Sequence, residues 1–311
     1  MPEIDLRPIL VTGAHRSGTT WVGKMLALHP RLGYVSEPLN LWHRRGVLRV
    51  PVKHWYQFIC NENEAEYLEA FQELLVWRYH LGCELRSLRS KKDVARMMRD
   101  VGIFLRGRLL RQRPLLKDPF AVFSALWFAD RLKCRVVIVV RHPAAFASSL
   151  KRLNWPFDFG HLLGQPLLME KWLEPFRSSM EMMRSRPEDV IGQAALLWRI
   201  IYHAVAKMCA QRADFVLVRH EDLSTAPLEG YQTLYQRLGL DFSVKIATAI
   251  RAYSADENPK ELKPGSAHSV RLDSRANLEN WKHRLSREEI HRIRAVTEEV
   301  AASYYNEDSW Q

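Results

Sequence analysis

The sequence predicts an α/β fold in which a parallel sheet is flanked by helices and interrupted by a helical cap at about residues 53–113. Three observations lead there. Short runs of β-branched and apolar residues recur, as in Val136-Val137-Ile138-Val139-Val140, which is what a parallel strand buried on both faces requires. Segments with helical spacing of apolar residues separate these runs. The first run, Ile9 to Thr12, enters a turn bounded by Gly13 and Gly18 and then a helix, a layout that converges backbone N–H groups on a phosphate. The sheet is therefore of the P-loop type.

In chain order, the first strand covers Ile9 to Thr12, and the helix Thr20 to Leu28 places Trp21, Met25 and Leu28 on one face before His29-Pro30 stops it. Leu32 to Ser36 reads as the second strand. Between about 53 and 113 the charges Glu62, Glu64, Glu66, Glu69, Lys91 and Lys92 alternate with apolar positions, as in solvated helices. Strands resume at 114–117, 135–140 and 215–218, with helices expected near 120–132, 143–153, 188–211, 227–238 and 286–303. Asp256 to Ser274 is a polar loop containing Pro259, Pro264 and Gly265, and a loop of that length in a compact domain is often functional. With 311 residues, 47% of them hydrophobic, the whole chain 1–311 is read as one large domain.

No apolar run approaches the roughly 18 residues that span a bilayer, and Pro2-Glu3-Ile4-Asp5 is no secretory leader, so the chain reads as soluble, unprocessed and cytoplasmic. Cys60, Cys83, Cys134 and Cys209 are scattered, which indicates neither a zinc site nor a disulfide framework. The formal charge of +11 favours an anionic ligand, acceptor or surface. Nucleic acid is disfavoured because no zinc finger, RNA-recognition signature or basic tail accompanies that charge.

The loop narrows the ligand. Gly13 and Gly18 have the spacing of G-x-x-x-x-G-K-[ST], but Thr19 follows the second glycine and Arg16 is the nearby cation, so the lysine that reaches a triphosphate is missing. Arg16-Ser17-Gly18-Thr19-Thr20-Trp21 resembles the 5'-phosphosulfate loop of sulfotransferases that use 3'-phosphoadenosine 5'-phosphosulfate (PAPS). Arg141, just after an apolar strand, and Ser149 on the next helix read in isolation as a strand cap and a surface serine. Beside the loop, they resemble the element of that family that grips the 3'-phosphate. Leu115 to Phe120, Val218 to Leu223, and Ser269 through Trp281-Lys282 to Leu285 extend the resemblance over residues 9–303, with the cap matching poorly. Lys117-Asp118-Pro119-Phe120 looks like the tyrosylprotein branch, and Glu37-Pro38-Leu39 with Trp42-His43 like the carbohydrate branch.

The resemblance implies roles. Glu37 matches the glutamate used as general base, with His43 as the alternative base or a packing residue. Lys117 matches the lysine at the bridging oxygen of the phosphosulfate, assisted by Arg16; its other reading is an ion pair with Asp118. Arg16, Ser17, Gly18, Thr19, Thr20 and Trp21 would hold the 5' end, and Arg141, Ser149, Ser269 and Arg271 the 3'-phosphate. Trp21 and Trp198 are both able to stack on adenine or to be core residues, and Glu221 and Asp222 read as structural. PAPS is the expected sulfuryl donor, and no metal is required, because fixed cations can neutralise the leaving group. Trp42, His43, Arg44, Arg45, Arg49, Lys53, Trp55 and Tyr56 mix aromatic faces with cations, which suits an anionic glycan or glycolipid and equally a solvated basic face. A hydroxyl of such an acceptor, in the cytoplasm or at a membrane surface, is the expected target. The alternatives are a tyrosine or phenol acceptor and a P-loop nucleotide kinase.

Overall fold

The computed structural model describes residues 5–261, 271 and 273–311. Five strands, β1 (Ile9–Gly13), β2 (Leu32–Ser36), β3 (Arg113–Lys117), β4 (Arg135–Val140) and β5 (Val216–Arg219), form one parallel sheet in the order β2-β3-β1-β4-β5. All five expected strands are present, with ends shifted by one residue at most.

Side chains alternate across a strand, so each strand feeds two cores. Leu10, Leu116, Val136, Ile138 and Val140 pack on one face with the 22-residue helix Val190–Gln211. Ile9, Val11, Leu115, Val137 and Val139 pack on the other, against the helices Thr19–Leu26 (α1), Pro227–Arg237 and Val244–Ser254. Burial on both faces explains why these strands read as continuous apolar runs.

The segment between β2 and β3 carries the helices Leu68–Leu75 (α2), Leu81–Leu85 (α3) and Lys91–Leu109 (α4), and residues 54–63 are non-helical. The helix expected over 120–132 is divided. Asp118 accepts from Phe120 N at 3.0 Å and opens a 3-10 turn, Pro119–Ser124, before the α-helix Ala125–Arg131 (α5) begins. The helix Pro143–Leu153 (α6) follows β4 as expected, and Ser286 with Glu289 forms a capping box at the start of Arg287–Ala301. The helices at His220–Thr225 and Val244–Ser254 and the short helices between 160 and 184 were not expected from periodicity. Most are too short, or too polar on their open sides, for an apolar period to stand out.

Gly13 fixes how β1 leaves the sheet. Its φ is +144°, and an added Cβ would lie 2.3 Å from the carbonyl oxygen of Val139 on β4. We expect Gly13→Ala to lower stability by about 2 kcal/mol or more, since it adds both backbone strain and a clash with main chain. Urea denaturation of the two proteins checks this.

Candidate active site

The carboxyl ends of β1, β2, β3 and β4 bring three pieces of the site side by side, at the end of an open α/β sheet where ligands bind. The first piece is the loop 13–18. Arg16, at φ +66°, and Gly18, at φ +94°, turn the backbone so that α1 begins directly behind it. A Cβ on Gly18 would lie 2.5 Å from His220 Nδ1, a constraint that fits the bare residue in that position. Tyr202, from the helix Val190–Gln211, braces the loop from beneath: its hydroxyl donates to Val139 O at 2.9 Å and accepts from Ala14 N at 3.3 Å. With that proton committed, Ser17 Oγ must donate to Tyr202 across 2.9 Å. Ser17 is fully buried, and its side chain serves the loop's shape. Thr19 is buried at the helix start, Thr20 is partly exposed, and Trp21 lies edge-on to His220 and Tyr231 at 5.6 and 5.3 Å.

The second piece joins Arg16, Arg141 and Ser149, which are far apart in sequence. Arg16 Nε donates to Ser149 Oγ at 3.1 Å, and Arg141 donates to the Arg16 carbonyl at 3.0 Å. Burial, with repulsion from Arg141 and Arg152 added, draws Arg16 down to about 10, and Arg141 is lowered chiefly by burial. The Nε of Arg141 is buried and has no hydrogen-bond partner among the described residues. Clustered guanidiniums with an orphaned buried donor fit an anionic group such as a phosphate. The surroundings hold Arg141 in place: its carbonyl accepts from Trp198 Nε1 at 2.8 Å, and Glu221 accepts from His142 N at 2.9 Å and from the Tyr305 hydroxyl at 2.8 Å. Trp198 is therefore core and not a face for adenine, while Glu221 has the structural setting expected of it.

The third piece is Lys117, 2% exposed at the end of β3, whose Nζ pairs with Glu37 Oε1. Glu37 reaches it from a backbone φ of +51°, with its own N–H donating to Lys117 O at 2.7 Å and Asn40 Nδ2 donating to its Oε2 at 2.8 Å. Asp118 is not the partner of Lys117. Its carboxylate is occupied by Leu39 N at 2.6 Å and Phe120 N at 3.0 Å, and so ties the Glu37 turn to β3. Gly23 of α1 leaves room for the lysine stem, since a Cβ there would lie 3.0 Å from Lys117 Cγ. His43 is poorly placed to be the base: Nδ1 faces Asn40 O and Nε2 faces Val50 O, both at 2.9 Å, and burial lowers its pKa. Between two carbonyl oxygens, a neutral His43 donates from one ring nitrogen only, and neither nitrogen faces the Lys117–Glu37 pair.

One residue of the site carries no signal in the sequence. His15 donates its backbone N–H to the Tyr56 hydroxyl at 3.2 Å, and its Nδ1 lies 2.5 Å from the same oxygen. Burial draws the His15 pKa to about 3, so the imidazole is neutral, and in the tautomer with its proton on Nε2 the phenol donates to Nδ1. His15 stacks on Phe120, Phe120 meets Trp55 at 4.5 Å, and Trp55 meets Trp42 edge-on at 5.2 Å, so a line of rings runs from the loop to an exposed tryptophan. The expected cationic collar is largely absorbed elsewhere: Arg44 pairs with Glu84 and Asp93, and Arg49 with Glu69 and Glu73. Arg271 lies over the Tyr253 ring at 5.2 Å, and Ser269 lies outside the described residues.

Residues 6–304 match the sulfotransferase domain family. The chain belongs to that family. This sulfotransferase is 24% identical to carbohydrate sulfotransferase 5 of Mus musculus, over 93% of this chain and 78% of that protein. It is 25% identical to carbohydrate sulfotransferase 1 of Homo sapiens, over 89% and 74%. The sulfotransferase domain from the curacin biosynthetic pathway superposes with a TM-score of 0.50 at 14% identity, covering 96% of this chain and 97% of that one, a likeness of fold alone. Among the described residues of the sulfotransferase, no group of three or more His, Cys, Asp or Glu side chains is arranged to hold a metal ion.

The turn that carries Glu37 has a pH dependence. Burial pushes Asp118 up to about 7 against the pull of its amide donors. An acid whose folded pKa is raised holds its proton more tightly in the folded state, so its contribution to stability falls as pH rises from about 4 to about 7. We expect the denaturation midpoint of Asp118→Asn to rise relative to that of the wild type as pH goes from 5 to 7, because the variant lacks the carboxyl that must give up its proton in that window. A variant midpoint that falls relative to the wild type over that range would contradict the assignment.

Proposed function

We propose that this sulfotransferase moves a sulfuryl group from PAPS to a hydroxyl of a carbohydrate or glycolipid acceptor, with Glu37 as general base. The observation that carries the reading is the adjacency of two built features, the Arg16–Arg141–Ser149 cluster and the buried Lys117–Glu37 pair, at the ends of neighbouring strands. PAPS fits the first feature, since Arg141 Nε is buried, has no hydrogen-bond partner among the described residues and stands beside the loop 13–18. When bound, PAPS supplies an activated sulfuryl group on a phosphate leaving group.

The chain's own residues do the rest by position and charge. Arg141 and Ser149 would hold the 3'-phosphate, and Arg16 and the N–H groups at the start of α1 the 5' end. Lys117 would stabilise charge on the departing oxygen, a task for a compact ammonium fixed on a strand. Glu37, held by Asn40 and aimed by its turn, would take the acceptor proton as the new O–S bond forms. The paired state of Glu37 and Lys117 keeps both groups pointed at one place. Support for a sugar acceptor comes from the likeness to carbohydrate sulfotransferases and from the ring line ending at Trp42, which is 81% exposed and offers a flat face. Because Arg44 and Arg49 are internally paired, recognition would rest more on aromatic faces than on a charged acceptor.

Calorimetry with adenosine 3',5'-bisphosphate tests the nucleotide site. We expect binding without Mg²⁺, preference over ADP, and a loss of about 2 to 5 kcal/mol in Arg141→Ala, the cost of removing a buried charge-assisted contact. Equal affinity for ADP would favour the kinase alternative.

A transfer assay with labelled PAPS against glycans, glycolipids and tyrosine peptides tests the chemistry. Glu37→Gln is expected to keep nucleotide affinity and lose turnover by about 10²-fold or more. Turnover near the wild-type rate would remove Glu37 as base. Transfer to the tyrosine peptides alone would replace the acceptor class.

A further inference from the structure

Helix α4 has a face that the enzyme's own chemistry does not use. It runs for 19 residues, and its inner side packs through Met97, Phe104 and Gly107, the last lying directly against the Trp77 ring. At 100° per residue, Val94, Met98, Leu105 and Leu109 fall within an arc of about 60° on the other side. They are 43%, 63%, 55% and 80% exposed, so a stripe of large apolar side chains stands in solvent along the whole helix. Scattered apolar residues on a surface are ordinary, but a continuous stripe at helical period signals an occupant.

Charge selects among occupants. The helix carries six Lys and Arg against two Asp, and both acids are already engaged, Asp93 by Ser90 and Arg44 and Asp100 by Arg99. In the same projection Arg108 borders the stripe on one side and Arg99 and Arg106 on the other, and all three are exposed. An apolar stripe between rows of cations fits the boundary of an anionic bilayer, with the alkyl groups among acyl chains and the guanidiniums at headgroup level. A second copy of this chain fits poorly, because face-to-face docking would bring the same arginines together. Among the described residues no helix is long and apolar enough to cross a membrane, so the contact is with the surface.

We propose that α4 is a peripheral docking face for an anionic lipid bilayer, inserted through Met98, Leu105 and Leu109. The geometry also sets the enzyme's pose. The amino end of α4 adjoins Arg44, which follows the Glu37 turn, so docking would keep that end of the site beside the membrane.

Co-sedimentation tests the face without reference to the transfer reaction. Vesicles of phosphatidylcholine with about 30 mol% phosphatidylserine are compared with phosphatidylcholine alone at moderate salt. The wild type is expected to partition to the anionic vesicles, and Leu105→Glu with Leu109→Glu to lower the partition constant about tenfold or more. Arg106→Gln with Arg108→Gln should weaken binding and flatten its salt dependence. Thermal melts of the variants check folding, and these exposed positions should leave the melts unchanged. Absence of wild-type binding, or equal binding by the glutamate variant, overturns the proposal. A dimer in ultracentrifugation that the glutamate variant dissolves would assign the face to a second copy and overturn it as well.

Discussion

A buried ammonium needs an anionic partner held in good geometry, and much of the site is arranged to give Lys117 one. The lysine sits at the end of β3, where apolar neighbours leave it 2% exposed. Glu37 reaches it only because its backbone occupies the left-handed region, an expensive conformation for a residue with a side chain. Asp118 helps hold that turn through Leu39 N, and Asn40 donates to the second carboxylate oxygen of Glu37. Strain in the turn, burial of the lysine and the second buried acid are thus parts of one constraint.

The neighbouring cluster follows the opposite logic. Burial lowers both Arg16 and Arg141, with repulsion from Arg141 and Arg152 added at Arg16 and from Arg284 at Arg141, and Arg141 Nε has no hydrogen-bond partner among the described residues. A protein that balanced charge for stability alone would satisfy that donor internally. Here the carboxylate closest in role, Glu221, is turned to His142 N and Tyr305 and supports the backbone behind Arg141. One half of the site is neutralised from within and the other half is left positive, a division suited to an anionic nucleotide on one side and proton removal on the other.

The sheet and its glycine-bounded turn were legible because their causes are local: strands buried on both faces read as apolar runs, and Gly13 and Gly18 mark backbone that other residues fit poorly. Arg16, Arg141 and Ser149 were legible through motif spacing, and the fold joins them as that spacing implies. The surroundings of His43 and Ser17 were not legible, because side-chain type says nothing of what each atom faces: the His43 nitrogens face carbonyls of its own turn, and Ser17 gives its proton to Tyr202. His15 stayed hidden because its pairing with Tyr56 spans 41 residues and depends on tertiary packing, and the same packing buries Tyr56, a residue expected at the acceptor face. The cationic collar failed for a related reason, as its partners Glu69, Glu73 and Glu84 come from α2 and α3 and the turns beside them.

That last exchange shapes what the acceptor side can recognise. Ion pairs between the segment after β2 and the helices α2 to α4 hold that segment against the sheet edge, and their charges are then largely unavailable to a ligand. What stays open near the Glu37 turn is aromatic: Trp42 is exposed, Trp55 supports it, and Phe120 carries the contact to His15 in the loop. Flat apolar faces with a single carboxylate beside them discriminate by shape and by where a hydroxyl falls, and only weakly by charge. The positive charge that remains exposed along α4 has no part in that choice, which is why the chain's basic balance and its acceptor preference are separate questions.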